Sequence, residues 1–301
     1  MSTAAPVLTS QNWVSPVTGR RMFLVEDGRG NLRANEIPTE AELTEFYTNH
    51  FERTSYQRRG KALQGWHRAW RVRRFSAGAE SPRMLDFGFG NGQFLRACRR
   101  RFPHAELVGF EMSESQCRLA REEAGADAFS NWAELEAKYP DGFDLITAWH
   151  VLEHAPDPGS TIRQLYAALK PGGSCILAVP NRDAWGMKLR REEWAWCQAP
   201  YVHIWQFSPD GIERLLRENA ARVEVSLTTR DAWDCNFLVD AALTSLGPWR
   251  RLQPASVRLR AESVFRLMAT VVNEAFLNPV IFTHSLRGSE LIVRLTKPRA
   301  G

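Results

Sequence analysis

No segment of this 301-residue sequence is apolar enough, over enough residues, to be read as a membrane span. The most apolar stretch, residues 267–286, is interrupted by Asn273, Glu274, Asn278 and Pro279, too polar for a transmembrane helix. Paired cysteines are also missing. Cys98, Cys117, Cys175, Cys197 and Cys235 are scattered with no C-x-x-C among them, the pattern of buried, reduced thiols in a cytoplasmic protein rather than of a disulfide framework. The first residues, Met1-Ser-Thr-Ala-Ala-Pro6, lack the charged start and apolar core of a secretory signal. Charge of one sign is not strongly in excess: the formal net charge is +5. Much of it lies in residues 53–74 and in Arg99–Arg101. Arginines interleaved with Trp66, His67 and Trp70 permit a nucleic-acid partner, but a solvated helix face is the favoured reading of so modest an excess, so nucleic acid is not indicated. A hydrophobic fraction of 44% excludes a disordered chain. The length suits one large α/β domain with additions, or two small ones.

What is present centres on Met84-Leu-Asp-Phe-Gly-Phe-Gly-Asn-Gly-Gln-Phe-Leu95. A short apolar run leads into three alternating glycines, Gly88, Gly90 and Gly92, and then into a helical pattern. Asp86 stands two residues before the first glycine. Such glycines make a tight strand-to-helix turn and let a ligand press against bare backbone. The spacing is not the dinucleotide fingerprint, because Gln93 occupies the place of its third glycine.

The rest of the pattern follows in order. Residues 106–111 form a second strand ending at Glu111, an acid suited to accept hydrogen bonds from two ribose hydroxyls. Ser113-Glu-Ser-Gln116 is a capping-box pattern opening a helix. A third strand near Asp127 is poorly marked. Asp141-Gly142 turns into the apolar strand 143–149, and a helix over 161–169 is stopped by Lys170-Pro-Gly-Gly173. Strand 174–179 ends at Pro180-Asn181, Ser208-Pro209 opens another helix, and residues 222–228 and 290–295 complete the strands. Strands alternating with helices argue for an α/β fold with a mainly parallel sheet covered on both faces.

Taken together, the D-x-G-x-G-x-G loop and the phrases FDLITAWHVLEHAPDP, LKPGG and AVPN over about residues 80–230 resemble the class I S-adenosylmethionine (SAM) dependent methyltransferases, in particular the ubiquinone-methyltransferase type. The resemblance implies a Rossmann-like seven-stranded sheet whose last strand is antiparallel, with an N-terminal cap over residues 1–79, the SAM-binding domain over 80–301, and a largely helical insertion over about 231–287 covering the acceptor or forming a dimer or membrane contact. The order of elements in the cap is similar to methyltransferases carrying a zinc ribbon. Ser15 and Gly19 fall where paired thiols would be expected, so a metal-free remnant is expected. The helix bearing Tyr47, Phe51 and Tyr56 is a candidate lid.

For the cofactor, the resemblance assigns Asp86 to the aminocarboxypropyl end, Gly88, Gly90 and Gly92 with Phe87 to the loop, Glu111 to the ribose, Met112 to the adenine face and Asn131 to its edge, with Trp149 and Tyr47 nearby. S-adenosylhomocysteine would be the product and no metal is expected. On the acceptor side, His154 and His203 are candidate bases and His150 a contact, since histidine titrates near neutrality. Trp185, Trp194, Trp196, Tyr201 and Trp205, with Asn181, cluster where the family's acceptor loop lies, so a flat or apolar acceptor fits. His150-x-x-Glu153-His154 also matches an inverted zinc-peptidase motif, but it follows a strand and is broken by Ala155-Pro-Asp-Pro158. In some related quinone-pathway enzymes a divalent ion is held at this turn; here His150 replaces one acid. The expected activity is methyl transfer to a small molecule, by O-methylation in secondary metabolism or of a quinone, glycosyl or lipid precursor. An RNA or protein methyltransferase, and a SAM-binding protein without turnover, remain the alternatives, and a homodimer is allowed for.

Overall fold

The computed structural model describes residues 7–39, 41–43, 46, 62–73, 81–197, 200–220, 222–230, 237–245, 268–269 and 271–299. They gather into two compact units made of separated stretches of chain: Met1–Ile37, Val179–Arg214 and Leu227–Ile292 in one, Pro38–Ala178, Leu215–Ser226 and Val293–Gly301 in the other.

The first unit begins with antiparallel strands β1 (Leu8–Val14), β2 (Arg21–Glu26) and β3 (Leu32–Ala34). The turn between β1 and β2 is built on Ser15, whose buried Oγ accepts from Thr18 N at 3.2 Å and Val17 N at 3.4 Å. A hydroxyl thus organises the turn where the ribbon resemblance would put a thiol. β3 pairs on its other side with the short strand Trp205–Gln206, giving a four-stranded sheet.

Helix α1 (Ala62–Val72) then leads to the alternation β4 (Arg83–Phe87), α2 (Gln93–Arg101), β5 (Glu106–Phe110), α3 (Glu114–Ala124), β6 (Asp127–Phe129), α4 (Trp132–Lys138), β7 (Phe143–Trp149), α5 (Pro158–Ala167) and β8 (Leu169–Pro180). After it come α6 (Trp185–Arg190), β9 (Trp205–Gln206), α7 (Pro209–Asn219), β10 (Glu224–Arg230), α8 (Phe237–Ser245), a π-helix over Asn273–Phe282 and β11 (Glu290–Thr296). The seven strands of the large sheet are ordered β10-β11-β8-β7-β4-β5-β6. β6, β5, β4, β7 and β8 pair in parallel. β11 runs against β8: Lys297 N bonds Gly173 O at one end and Asn181 N bonds Ser289 O at the other. The sheet is therefore mixed and seven-stranded, as expected. Its central strands are near-continuous apolar runs because helices cover both faces; Met84, Leu85, Val108, Leu145, Ile146, Ile176 and Leu177 are all buried.

Local chemistry departs from the sequence expectation in three places. α5 stops at Ala167, and Leu169 already pairs with Phe143 in the sheet. The next pairing in register is Leu145 with Ser174, so Lys170-Pro-Gly-Gly173 bulges out of the strand that contains it. At the start of α3 the capping box does not close: the Ser113 hydroxyl meets Ser115 Oγ at 2.9 Å, not the helix amides. Arg99 is not simply a solvated residue of a helix face: it donates to Pro103 O and Ala105 O just past its own helix, and to Ala124 O and Gly125 O at the exit of the neighbouring helix. The cap at Ser208 forms as the sequence indicates, its Oγ accepting from Gly211 N at 2.9 Å.

Candidate functional site

β4 delivers the chain into the glycine loop with φ of 68°, 55° and 69° at Gly88, Gly90 and Gly92. The first two need glycine for different reasons. A Cβ on Gly88 would stand 2.6 Å from Val151 Cγ2, whereas one on Gly90 would meet no atom within 4 Å. Gly88 is thus where chain presses on chain, and Gly90 offers bare backbone beside open space. Gly88 N donates to Phe110 O at 2.7 Å, which ties the loop to the end of β5.

Two buried carboxylates flank this loop. Asp86, the fourth residue of β4, accepts the Thr147 hydroxyl at 2.8 Å. Its burial pushes the carboxyl up to about 7, against the opposing pull of Thr147 and the Arg68 guanidinium. Glu111 follows β5 and accepts from Gly90 N at 2.9 Å and Ser113 N at 3.3 Å. Burial raises its pKa too, with those backbone donors acting in the other direction.

Aromatic rings surround the strand ends. Phe87 stacks on Phe110 with centroids 5.1 Å apart, and Trp132 meets both edge-on at 5.7 and 5.4 Å. Trp149 packs against Phe94 at 5.4 Å and carries the Arg68 guanidinium 4.7 Å from its ring centre. Met112 is exposed. Asn131 caps α4, its Oδ1 accepting from Ala133 N and Glu134 N. Trp132 Nε1, Trp149 Nε1 and Asn91 Nδ2 are buried donors without a partner in the structure. Buried donors are costly to leave unmatched, so this is a place that suits a polar ligand. The open side of Gly90, two carboxylates and these donors fit an amino-acid-bearing nucleoside such as SAM.

After β7 the chain turns at His150, with φ of 57°. Its Nδ1 lies 3.0 Å from Oε1 of the buried Glu153. A carboxylate only accepts, so the ionised Glu153 is bonded by the Nδ1 proton of His150. His154 ends a short 3-10 turn over Leu152–His154. The helix that a zinc-peptidase motif needs to align its two histidines is replaced by a strand end and this turn.

In the other unit the aromatics form packing. Trp194 has no exposed surface and meets Trp196 edge-on at 5.3 Å; Tyr201 and Trp205 are buried, and Trp205 stacks on Phe207. Trp185 alone of the five keeps substantial exposure, packing on Phe237 and Phe282. Asn181 is buried and donates to Leu286 O and Gly288 O. His203 Nδ1 donates to Trp196 O at 3.0 Å. Tyr47, Phe51 and Tyr56, the candidate lid, lie outside the described residues.

Sequence reasoning did not single out Thr147, Arg68, Asn91 or Glu153 as site residues. Thr147 interrupts an apolar strand opposite Asp86, and Glu153 stands three residues after His150; both were visible signals. Arg68 was hidden among the many arginines of residues 53–74.

A glycine loop after the first strand of a seven-stranded mixed sheet, with an acid after the next strand, defines a class I methyltransferase fold. The chain belongs to the family described as methyltransferase domain, which matches residues 56–224. Over 107 residues it is 35% identical to the ubiquinone biosynthesis O-methyltransferase of Pseudomonas entomophila (strain L48), covering 34% of this chain and 45% of that one. Over 113 residues it is 32% identical to the protein of the same name from Pseudomonas aeruginosa (strain LESB58), covering 36% and 48%. The chain spans about half the length of these curated relatives. Among solved structures, a SAM-dependent methyltransferase from Thermotoga maritima shares the fold at a TM-score of 0.51 and 17% identity, over 85% of this chain and 98% of that one. The plantazolicin methyltransferase BpumL, solved with S-adenosylhomocysteine (SAH), does so at 0.51 and 15%, over 85% and 94%.

Proposed function

We propose that the chain transfers the methyl group of SAM to a small-molecule acceptor. The observation that carries this reading is the set Asp86, Gly88, Gly90 and Glu111, assembled at the ends of β4 and β5 in a member of this family. When bound, SAM supplies a methyl group on a positively charged sulfur. Asp86 binds its ammonium group, Glu111 accepts from the ribose hydroxyls, and the backbone at Gly90 allows close approach. Holding nucleophile, methyl and sulfur in line supplies about 7–11 kcal/mol by orientation alone. A histidine beside the acceptor would take the proton of a hydroxyl nucleophile, a contribution of roughly 10²–10⁴ in rate, and His150, held by Glu153, is the candidate on this side of the strand ends.

Oxygen is the favoured acceptor atom, because a histidine base is useful for a hydroxyl and the curated relatives are named as O-methyltransferases. Trp185, with its partly exposed indole, is the aromatic we assign to an apolar or flat acceptor.

Calorimetric titration with SAH tests the cofactor half directly. Micromolar binding by the wild type, reduced at least tenfold in Asp86→Ala, is expected. A folded wild type that binds no SAH, with or without phenolic acceptors present, would overturn the proposal. Labelled SAM with the same acceptors then reads transfer.

A further inference from the structure

In the unit that carries the four-stranded sheet, Trp13, Trp194 and Gln206 are buried with polar atoms that the fold leaves unanswered. Trp13, near the end of β1, is 2% exposed, and Trp194 and Gln206 have no exposed surface. Among the described residues, Trp13 Nε1, Trp194 Nε1 and Gln206 Oε1 have no hydrogen-bond partner. The set is gathered around Trp196. Its ring meets Trp194 edge-on at 5.3 Å, and its carbonyl accepts Gln206 Nε2 at 2.7 Å and His203 Nδ1 at 3.0 Å. Those two donors use both lone pairs of the carbonyl, which leaves none for Trp194 Nε1. A carbonyl only accepts, so the amide nitrogen of Gln206 faces it and the amide oxygen is turned away. β1 packs on the turn Arg191–Glu193 that leads into Trp194, so the strand of Trp13 borders the same core. All of these residues belong to one compact unit.

Buried polar atoms are matched almost everywhere in folded proteins, and two indole donors beside one amide acceptor form a set that a ligand can answer. The charges of the adjoining turn answer each other: Arg190 lies 3.5 Å from Glu193, and Arg191 3.8 Å from Glu192. Arg190 Nε is a further unmatched donor, on a guanidinium whose charge Glu193 offsets. The occupant is therefore uncharged. An indole N–H calls for a carbonyl or ether oxygen, and Gln206 Oε1 calls for a hydroxyl. The buried rings of Trp194, Trp196, Tyr201, Trp205 and Phe207 suit a flat molecule. We propose that this unit binds an uncharged aromatic molecule bearing a hydroxyl beside an oxygen acceptor. Gln206 Oε1 accepts from the hydroxyl, and Trp194 Nε1 donates to the neighbouring oxygen. The glycine loop belongs to the other unit, and the inference does not rest on methyl transfer.

Nuclear magnetic resonance of the full chain, carrying isotope-labelled tryptophan, reads the site at the indole N–H of Trp194. The Trp194→Phe variant identifies that signal, and circular dichroism reports the folding of each variant. The probes are guaiacol, which has a hydroxyl beside an ether oxygen, methoxybenzene, which lacks the hydroxyl, and benzoate, which is charged. Guaiacol is expected to move the Trp194 signal in a saturable way. Methoxybenzene should bind roughly tenfold or more weakly, because it leaves Gln206 Oε1 unmatched, and benzoate should leave the signal in place. In Gln206→Met the preference for guaiacol over methoxybenzene should disappear. A wild-type signal unmoved by guaiacol at millimolar concentration would overturn the proposal, and contact of that indole proton with water would then show that an ordered water fills the place. Equal shifts from all three probes, or a folded Gln206→Met that keeps the preference, would overturn it as well.

Discussion

At the scale of the residue, Asp86 has two opposed effects. Because burial raises its folded-state pKa from 3.8 to about 7, the folded chain holds a proton there that the unfolded chain has released. Stability is therefore full at low pH and falls as pH rises from about 4 through about 7, and Glu111, also raised, adds to the same slope. The Asp86 shift corresponds to about 4 kcal/mol at pH 8. Asp86→Asn keeps the shape and removes the charge. Its melting temperature should fall less between pH 5 and 8 than that of the wild type and lie above it at pH 8, while its affinity for SAH drops. Equal pH slopes in the two proteins would show that Asp86 does not titrate in this window. In the wild type, SAH binding should strengthen as pH rises through about 7, since the ammonium group favours the ionised carboxylate.

Among the elements, the strand-to-helix loop separates a glycine required by the fold from one required by the ligand. Gly88→Ala meets Val151 and keeps a positive φ, so left-handed strain and overpacking should together cost about 2–4 kcal/mol. Gly90→Ala meets nothing and should cost about 1 kcal/mol from strain alone, yet its methyl would stand in the space assigned to the cofactor. Thermal melts and SAH titration of the pair should therefore move in opposite proportions, with Gly88→Ala the less stable and Gly90→Ala weakened at least tenfold in binding relative to its small loss of stability. Similar stability losses in both would remove the distinction. The same loop shows what the sequence made legible. Apolar runs ended by Asp86 and Glu111, and glycines where φ is positive, are local signals, and β4, β5, β7, β10 and β11 stand within a residue or two of where those signals fall, while β8 begins five residues earlier than read. Lys170-Pro-Gly-Gly173 was legible as a helix stop but not as a bulge, because the register shift depends on where Leu169 and Ser174 pair on β7. β6 is three residues long and has no pattern to read. The cluster of tryptophans was legible as a cluster, yet burial of Trp194 and Trp196 in a core depends on contacts that composition does not encode. Pairing of β3 with β9 is equally distant in sequence, and the π-helix Asn273–Phe282, with Asn273 and Asn278 buried and Phe276 and Val280 exposed, contradicts the rule that a sequence reader applies.

For the molecule as a whole, the chain crosses between the two compact units five times, once in the segment at Ile37–Pro38 and four times inside elements, within β8, α7, β10 and β11. A strand or helix cannot melt at one end and stay formed at the other without losing its ladder, so the units should unfold together. Scanning calorimetry is expected to give one endotherm whose calorimetric and van't Hoff enthalpies agree; two resolved endotherms would show that the units are energetically independent. The pairing of Leu32 with Gln206 and Arg33 with Trp205 adds a consequence in time. When β3 leaves the ribosome, its partner is still about 170 residues away from being made. At about 5–20 residues per second, the N-terminal hairpin must wait on the order of 10–30 s before its fourth strand exists. Throughout that interval the edge of β3 is unpaired, and the nascent chain depends on this strand being only three residues long, and on Arg33 within it, to keep other strands from taking the place of β9.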